Sequence, residues 1–163
     1  MHGSEFIIKK PETDEEIRGK AFVFWRSWHE AYPGIVSQAY LDSLTLESCE
    51  EKAFRQTEGI LIAKDGERVI GFVSFGDRGE EKPEFGEIFC LYVLSEYYGT
   101  GAGQKLMEAA LNELKNYPKI CLWVLKENGR AIRFYQKCGF VLCGEEAVSA
   151  NHGATEIRMV LKR

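Results

Sequence analysis

The chain has 163 residues, 45% of them hydrophobic and 28% charged, with 21 Lys and Arg against 25 Asp and Glu. One globular domain spanning 1–163 is expected, neither disordered nor fibrous, and the net charge of −4 argues against a nucleic-acid binder. No run reaches the ~20 apolar residues that span a bilayer, the first residues lack a signal-peptide pattern, and Cys49, Cys90, Cys121, Cys138 and Cys143 form no CxxC pair, so a cytoplasmic chain with reduced thiols and no membrane partner is expected.

Residues 5–9 (EFIIK) predict a short first strand. Thr13 or Asp14 can cap a helix whose first turn holds Glu15 and Glu16, where the dipole favours carboxylates. Ile17, Ala21, Phe24, Trp25, Trp28 and Tyr32 then recur at helical spacing, until Pro33-Gly34 ends the run. Ser37 predicts a cap for a second helix through Leu44, and a third covers 46–57. ILIAK and RVIGFVSFG read as strands joined through Asp65-Gly66, a hairpin signal. Residues 87–94 are apolar on both faces, which predicts a central strand. A helix over 101–116 carries Leu106, Met107, Ala110, Leu111 and Leu114 on one face. Tyr117-Pro118 stops it, and KICLWVL (119–125) follows as a strand. A helix over 129–138, a strand FVLCG and a last strand over 155–162 complete a mixed α/β sheet with at least one parallel crossover.

Two stretches carry chemistry. The first is the turn after the central strand, with glycines at 99, 101 and 103 leading straight into a helix. Glycines let backbone approach a ligand closely, and the free N–H groups of a helix's first turn suit an anion such as a pyrophosphate. The same turn would also serve as a plain tight connection. It is not a Walker loop, since GxxxxGK[ST] is absent, and no acidic residue ends the next strand as a dinucleotide fingerprint requires. The second stretch is NGRAIRFYQKCGF, 128–140. Asn128 caps its helix, and Tyr135 lies two turns along, either as a proton donor or as an ordinary packed aromatic.

Together the stretches resemble the GCN5-related N-acetyltransferases (GNAT). The family's pyrophosphate motif, [QR]-x-x-G-x-[GA], reads here Tyr98-Gly99-Thr100-Gly101-Ala102-Gly103, and its second motif, N-x-x-A-x-x-x-Y-x-x-x-G-F, appears as Asn128, Ala131, Tyr135, Gly139 and Phe140. Tyr98 departs from the usual Gln or Arg, which affects one side-chain contact. The resemblance covers roughly residues 60–161 and implies a mostly antiparallel sheet flanked by helices and split between its fourth and fifth strands.

It further implies an acetyl-CoA-dependent acyltransferase that acts directly on a primary amine. Acetyl-CoA would lie along the central strand, pairing with Leu91, Tyr92 and Val93, with its pyrophosphate over 98–103 and Asn128 and Tyr135 beside it. A backbone N–H near Val93 would stabilise the oxyanion. Tyr135 matches the family's general acid, and Glu87 matches the base of its histone-acetylating branch. Simple alternation puts Glu87 on one face with Phe89, Leu91 and Val93. Lys105, Arg130 and Arg133 are candidates for CoA phosphates, or for faces turned to water. Trp25, Trp28 and Tyr32 are read first as core and second as acceptor contacts, with His29 in the same acceptor-side stretch. No metal is expected, because His2, His29 and His152 lack ligand spacing, and neither Cys90 nor Cys121 is required as a nucleophile. The carboxylates Glu47, Glu50, Glu51, Glu80 and Glu81 suit a cationic acceptor such as a polyamine. Acetylation of a protein N-terminus or lysine is the alternative activity, and a non-catalytic acyl-CoA-binding regulatory module the alternative class. The family also allows a homodimer.

Overall fold

The structure, a computed structural model, describes residues 5–163; His2 lies outside them. Strand β1 (Ile7–Lys9) leads to helices α1 (Asp14–Ala31), α2 (Gln38–Ser43) and α3 (Leu46–Arg55). Strands β2 (Ile60–Asp65), β3 (Arg68–Asp77) and β4 (Phe85–Val93) follow, then α4 (Ala102–Glu113), β5 (Lys119–Leu125), α5 (Gly129–Lys137), β6 (Val141–Val148) and β7 (Thr155–Lys162). The sheet order is β1-β2-β3-β4-β5-β7-β6. Every described pairing between named strands is antiparallel except β4 with β5, which α4 connects as a crossover. The expected mixed sheet is the observed one, with β4 at its centre.

Capping sets where the first helices begin. Thr13, rather than Asp14, is the N-cap of α1, and its hydroxyl accepts from the Glu16 N–H at 3.1 Å. Glu16 answers by accepting from the Thr13 N–H at 3.2 Å, closing a capping box. Ser37 caps α2 as expected. Helix α3 ends at Arg55, two residues short of the expected 57. Helix α1 packs over Phe72 and Tyr92 on one face of the sheet, while α4 buries Leu106, Met107 and Ala110 against the other.

Strand β6 departs furthest from expectation. It runs to Val148 rather than ending near Gly144, and all eight of its residues are exposed. Its register against β7 skips between Leu142 and Glu146, with Gly144 at φ +90°. Such an irregularity reads in sequence as a turn, whereas here it bends an edge strand that then resumes pairing. Among the described residues, no helix is long and apolar enough to cross a membrane.

Glu16 ties three elements together. Its buried carboxylate receives Lys9 from the end of β1 at 2.7 Å, Lys64 from β2 at 2.9 Å and the Glu12 N–H at 2.8 Å. The hydrogen bond from Lys9, joined by those from Glu12, Lys64 and Thr13, holds the carboxyl at about 2, against an ordinary 4.5, despite its burial. A carboxyl depressed on folding contributes fully above its unfolded value, and the contribution is lost as pH falls through the folded one. Glu16→Gln should therefore lower stability to denaturant by roughly 1–3 kcal/mol at pH 7. The gap should close as pH drops from about 4.5 towards about 2. An unchanging gap down to pH 3 would leave the carboxylate without an electrostatic role.

Candidate active site

Strands β4 and β5 pair only from Phe85–Lys119 to Ile88–Leu122. Beyond that rung they part, and a cleft of about 1350 Å³ opens between them. The parting coincides with a bulge, because Ser74 pairs with Cys90 and Phe75 with Ile88, so Phe89 has no partner on β3. Two consequences follow. The groups of β4 that would pair with β5 are left open over Phe89–Val93. The bulge also breaks the alternation that the sequence suggested. Leu91 and Val93 face α4, while Tyr92 meets Phe24 and Trp28 of α1. Glu87 does not share their face, and lies with Phe85 in register with Cys121.

The turn into α4 has a shape that suits an anion. Gly101 is the N-cap, at φ +89°, a left-handed conformation that a side chain would strain. Gly101 offers no capping side chain, and apart from the Ala102 N–H, which donates to the Thr100 hydroxyl at 3.4 Å, the first-turn N–H groups are left for a ligand. Tyr98, Gly99, Gly101, Ala102 and Gly103 all line it. Thr100 does not, because its hydroxyl turns back to donate to the Tyr97 carbonyl at 2.6 Å. Gly103 has a packing role besides close approach, since a Cβ there would sit 3.3 Å from two atoms of the Phe134 ring. Tyr98, the departure from the motif, lies under the Arg130 guanidinium, 3.3 Å from the ring centroid. The position usually held by Gln or Arg thus carries a cation supplied from α5.

At the other end of the open strand, three tyrosines gather. Asn128 caps α5 by accepting from the Ala131 N–H at 3.2 Å, and its amide donates to the Tyr32 hydroxyl at 3.3 Å. The Trp28 indole donates to the Tyr92 hydroxyl at 2.9 Å. Tyr135 is buried but lines the cleft, and its hydroxyl has no hydrogen-bond partner among the described residues. Burial, with the nearby Cys90 and Tyr32, pushes Tyr135 far above the ordinary tyrosine range. It remains a proton donor at neutral pH. Burial likewise raises the Cys90 thiol to about 11.

Glu87 stands apart from this group. Its carboxylate accepts from Arg78 at 2.9 Å and is not among the lining residues of the cleft. Trp28 and Tyr32 line it while packing against Val36 and Leu41, so they serve as wall and core together. Trp25 stacks on His29, whose Nε2–H donates to the Leu44 carbonyl at 2.8 Å, and neither faces the cleft. Arg130 and Arg133 reach it and Lys105 does not. Cys90 lines it, whereas Cys121 is buried with Phe85 and Val160. None of Glu47, Glu50, Glu51, Glu80 and Glu81 lines it. Sequence reasoning missed Lys20, Lys52, Arg55 and the cleft position of His152, which come from three separate elements and carry no shared spacing.

A model of the Acetyltransferase (GNAT) family matches residues 22–140. An uncharacterized N-acetyltransferase of Bacillus subtilis, YuaI, is 34% identical over 127 residues, 75% of this chain and 73% of that protein. Another, from Archaeoglobus fulgidus, is 35% identical over 118 residues, 69% of this chain and 80% of its own. Among solved structures, the PaiA N-acetyltransferase of Thermoplasma acidophilum in complex with coenzyme A shares the fold. It aligns with a TM-score of 0.74 at 23% identity, over 98% of this chain and 100% of that one. Because the segment matched by the family model takes in β4, the α4 turn and all of α5, the elements that build the cleft are the family's own, and the chain belongs to the GNAT family of acetyltransferases.

Proposed function

We propose that this acetyltransferase moves the acetyl group of acetyl-CoA directly to the primary amine of a small molecule. The observation that carries the reading is one continuous cleft. It runs from the N-terminus of α4, along the open edge of β4, to the hydroxyl of Tyr135, which has no hydrogen-bond partner among the described residues. The cradle at Gly101–Gly103 suits the pyrophosphate, with Arg130 held above it by Tyr98. The open groups of Leu91, Tyr92 and Val93 suit the amides of the pantetheine arm. The coenzyme A bound to the Thermoplasma PaiA protein supports the same ligand here.

The chemistry asks for two proton movements. The amine must lose its proton before attack, and the departing thiolate must gain one. Attack forms the C–N bond and breaks the C–S bond, with a β4 backbone N–H holding the charge that develops on the carbonyl oxygen. Tyr135 supplies the proton to sulfur and recovers one from solvent. Glu87 is a weaker fit for the base, since its carboxylate is engaged with Arg78 away from the cleft. Water in the open cleft takes the amine's proton.

Coenzyme A release measured over a panel of amines and N-terminal peptides tests the activity. Release with peptides alone would move the acceptor to proteins. Acetyl-CoA binding with no release from any probe would make the chain a binding module. Tyr135→Phe keeps the ring and removes the hydroxyl, so kcat should fall by roughly 10²–10⁴ with acetyl-CoA affinity nearly unchanged. In the unaltered protein, activity should not fall through the ordinary tyrosine range near pH 10, because the folded hydroxyl titrates well above it. A fully active Phe variant would reduce Tyr135 to packing.

Glu87→Gln separates the two readings of that residue. With water as base, the pH–rate profile should keep its shape and kcat should stay within roughly threefold, well short of the loss of a general base. A deficit that shrinks as pH rises would return Glu87 to the catalytic role.

A further inference from the structure

Half-buried cations in this fold are paired almost everywhere. Lys9 and Lys64 meet Glu16, Arg26 meets Glu96, Arg78 meets Glu87 and Arg158 meets Glu145. Two stand apart among the described residues: Lys119, which lies over the Phe85 ring and off the cleft, and Lys20. Lys20 rises from α1 into the cleft, half-buried, with its ammonium 4.7 Å from the Phe72 ring centroid and 6.0 Å from that of Phe24. No carboxylate among the described residues lies within ion-pair distance of it. Lys52 and Arg55 of α3, both exposed, also line the cleft and have no ion pair among those residues. Glu58 lines it too and pairs with none of the three.

Isolated ammonium groups are costly to bury. Burial lowers the pKa of Lys20, and the charge of Lys52 lowers it further. Two aromatic faces offset part of this cost, and an incoming anion would offset more. The position matters as much as the charge. The two rings beside the Lys20 ammonium, Phe24 and Phe72, each meet the Tyr92 ring of the open strand at 5.7 Å between centroids. Lys20 is thus on the α1 side of the strand whose open edge leads to Tyr135, on the acceptor's side of the cleft.

We propose that the acceptor is an amine that also carries an acidic group, a carboxylate or a phosphate, and that Lys20 receives that group with Lys52 and Arg55 at the mouth. The inference rests on the amine-acetyltransferase reading above and narrows its substrate class. It replaces the polyamine expectation, whose five carboxylates lie off the cleft. The amine end then points along β4 towards the acetyl carbon while the acid end stays at α1 and α3.

Matched probes test it: β-alanine against β-alaninamide, phosphoethanolamine against ethanolamine, and cadaverine as a dication. Coenzyme A release should favour the acidic member of a pair by at least tenfold in kcat/KM. Which pair shows the preference distinguishes carboxylate from phosphate. In Lys20→Met, whose stem still covers Phe24 and Phe72, the ratio should fall towards one, and Lys20→Arg should retain it. Calorimetry on the enzyme saturated with coenzyme A reads the same ratio in binding and decides the matter where no probe is turned over. Equal handling of both members, preference for cadaverine, no binding of any acidic probe, or a ratio unchanged in Lys20→Met would overturn the inference. Loss of acetyl-CoA binding itself would instead refute the transferase reading, and the same calorimeter records it.

Discussion

Two neighbouring parallel strands that stop pairing halfway are the constraint on which this site depends. A parallel pair with both faces covered normally runs its full length, because every unpaired backbone group beneath a helix is costly. Here β4 and β5 separate after Ile88 and Leu122. The bulge at Phe89 bends β4 away, and α4 and α5 close over the gap on one side while α1 closes it on the other. What remains is a trough floored by strand edge, whose backbone groups need a partner the protein does not supply. An extended ligand with its own amides would meet that need.

The site divides its labour by chemistry. On the proposed reading, recognition of the common part of the ligand falls on backbone, at the start of α4 and along β4, and so depends little on side-chain identity. This explains why Tyr98 can stand where the motif has Gln or Arg. The chain recovers a cation from α5 by stacking Arg130 on the ring. The variable part would meet side chains that line the cleft from α1, α3 and the turn between β6 and β7, including Lys20, Trp28 and His152.

Local signals made much of the fold legible. Thr13 and Ser37 are caps because their hydroxyls satisfy N–H groups a few residues on, and that chemistry is written in the sequence. Asn128, Tyr135 and Gly139 are bound to one another by helical spacing, so the motif announced the end of the cleft where the acid would sit. Non-local features were hidden. One extra residue in β4 reversed the face on which Leu91 and Val93 lie relative to Glu87, and period-two alternation cannot register a bulge. The skip in β6 was hidden in the same way behind Gly144. Lys20, Lys52 and Arg55 belong together only because α1 packs on α3, and no spacing encodes that contact.

Cys90 shows what burial would do for a transferase that works by direct transfer. Cys90 lines the cleft on the strand along which an activated acyl group would pass. Thioester exchange needs a thiolate. With the thiol raised to about 11, only about one molecule in 10⁴ carries that thiolate at pH 7. The apolar wall that shapes the trough therefore also works as chemical insulation. On that reading the protein would keep a soft, polarizable atom beside a reactive ester without acylating itself, and the acyl group would reach the nitrogen for which it was activated.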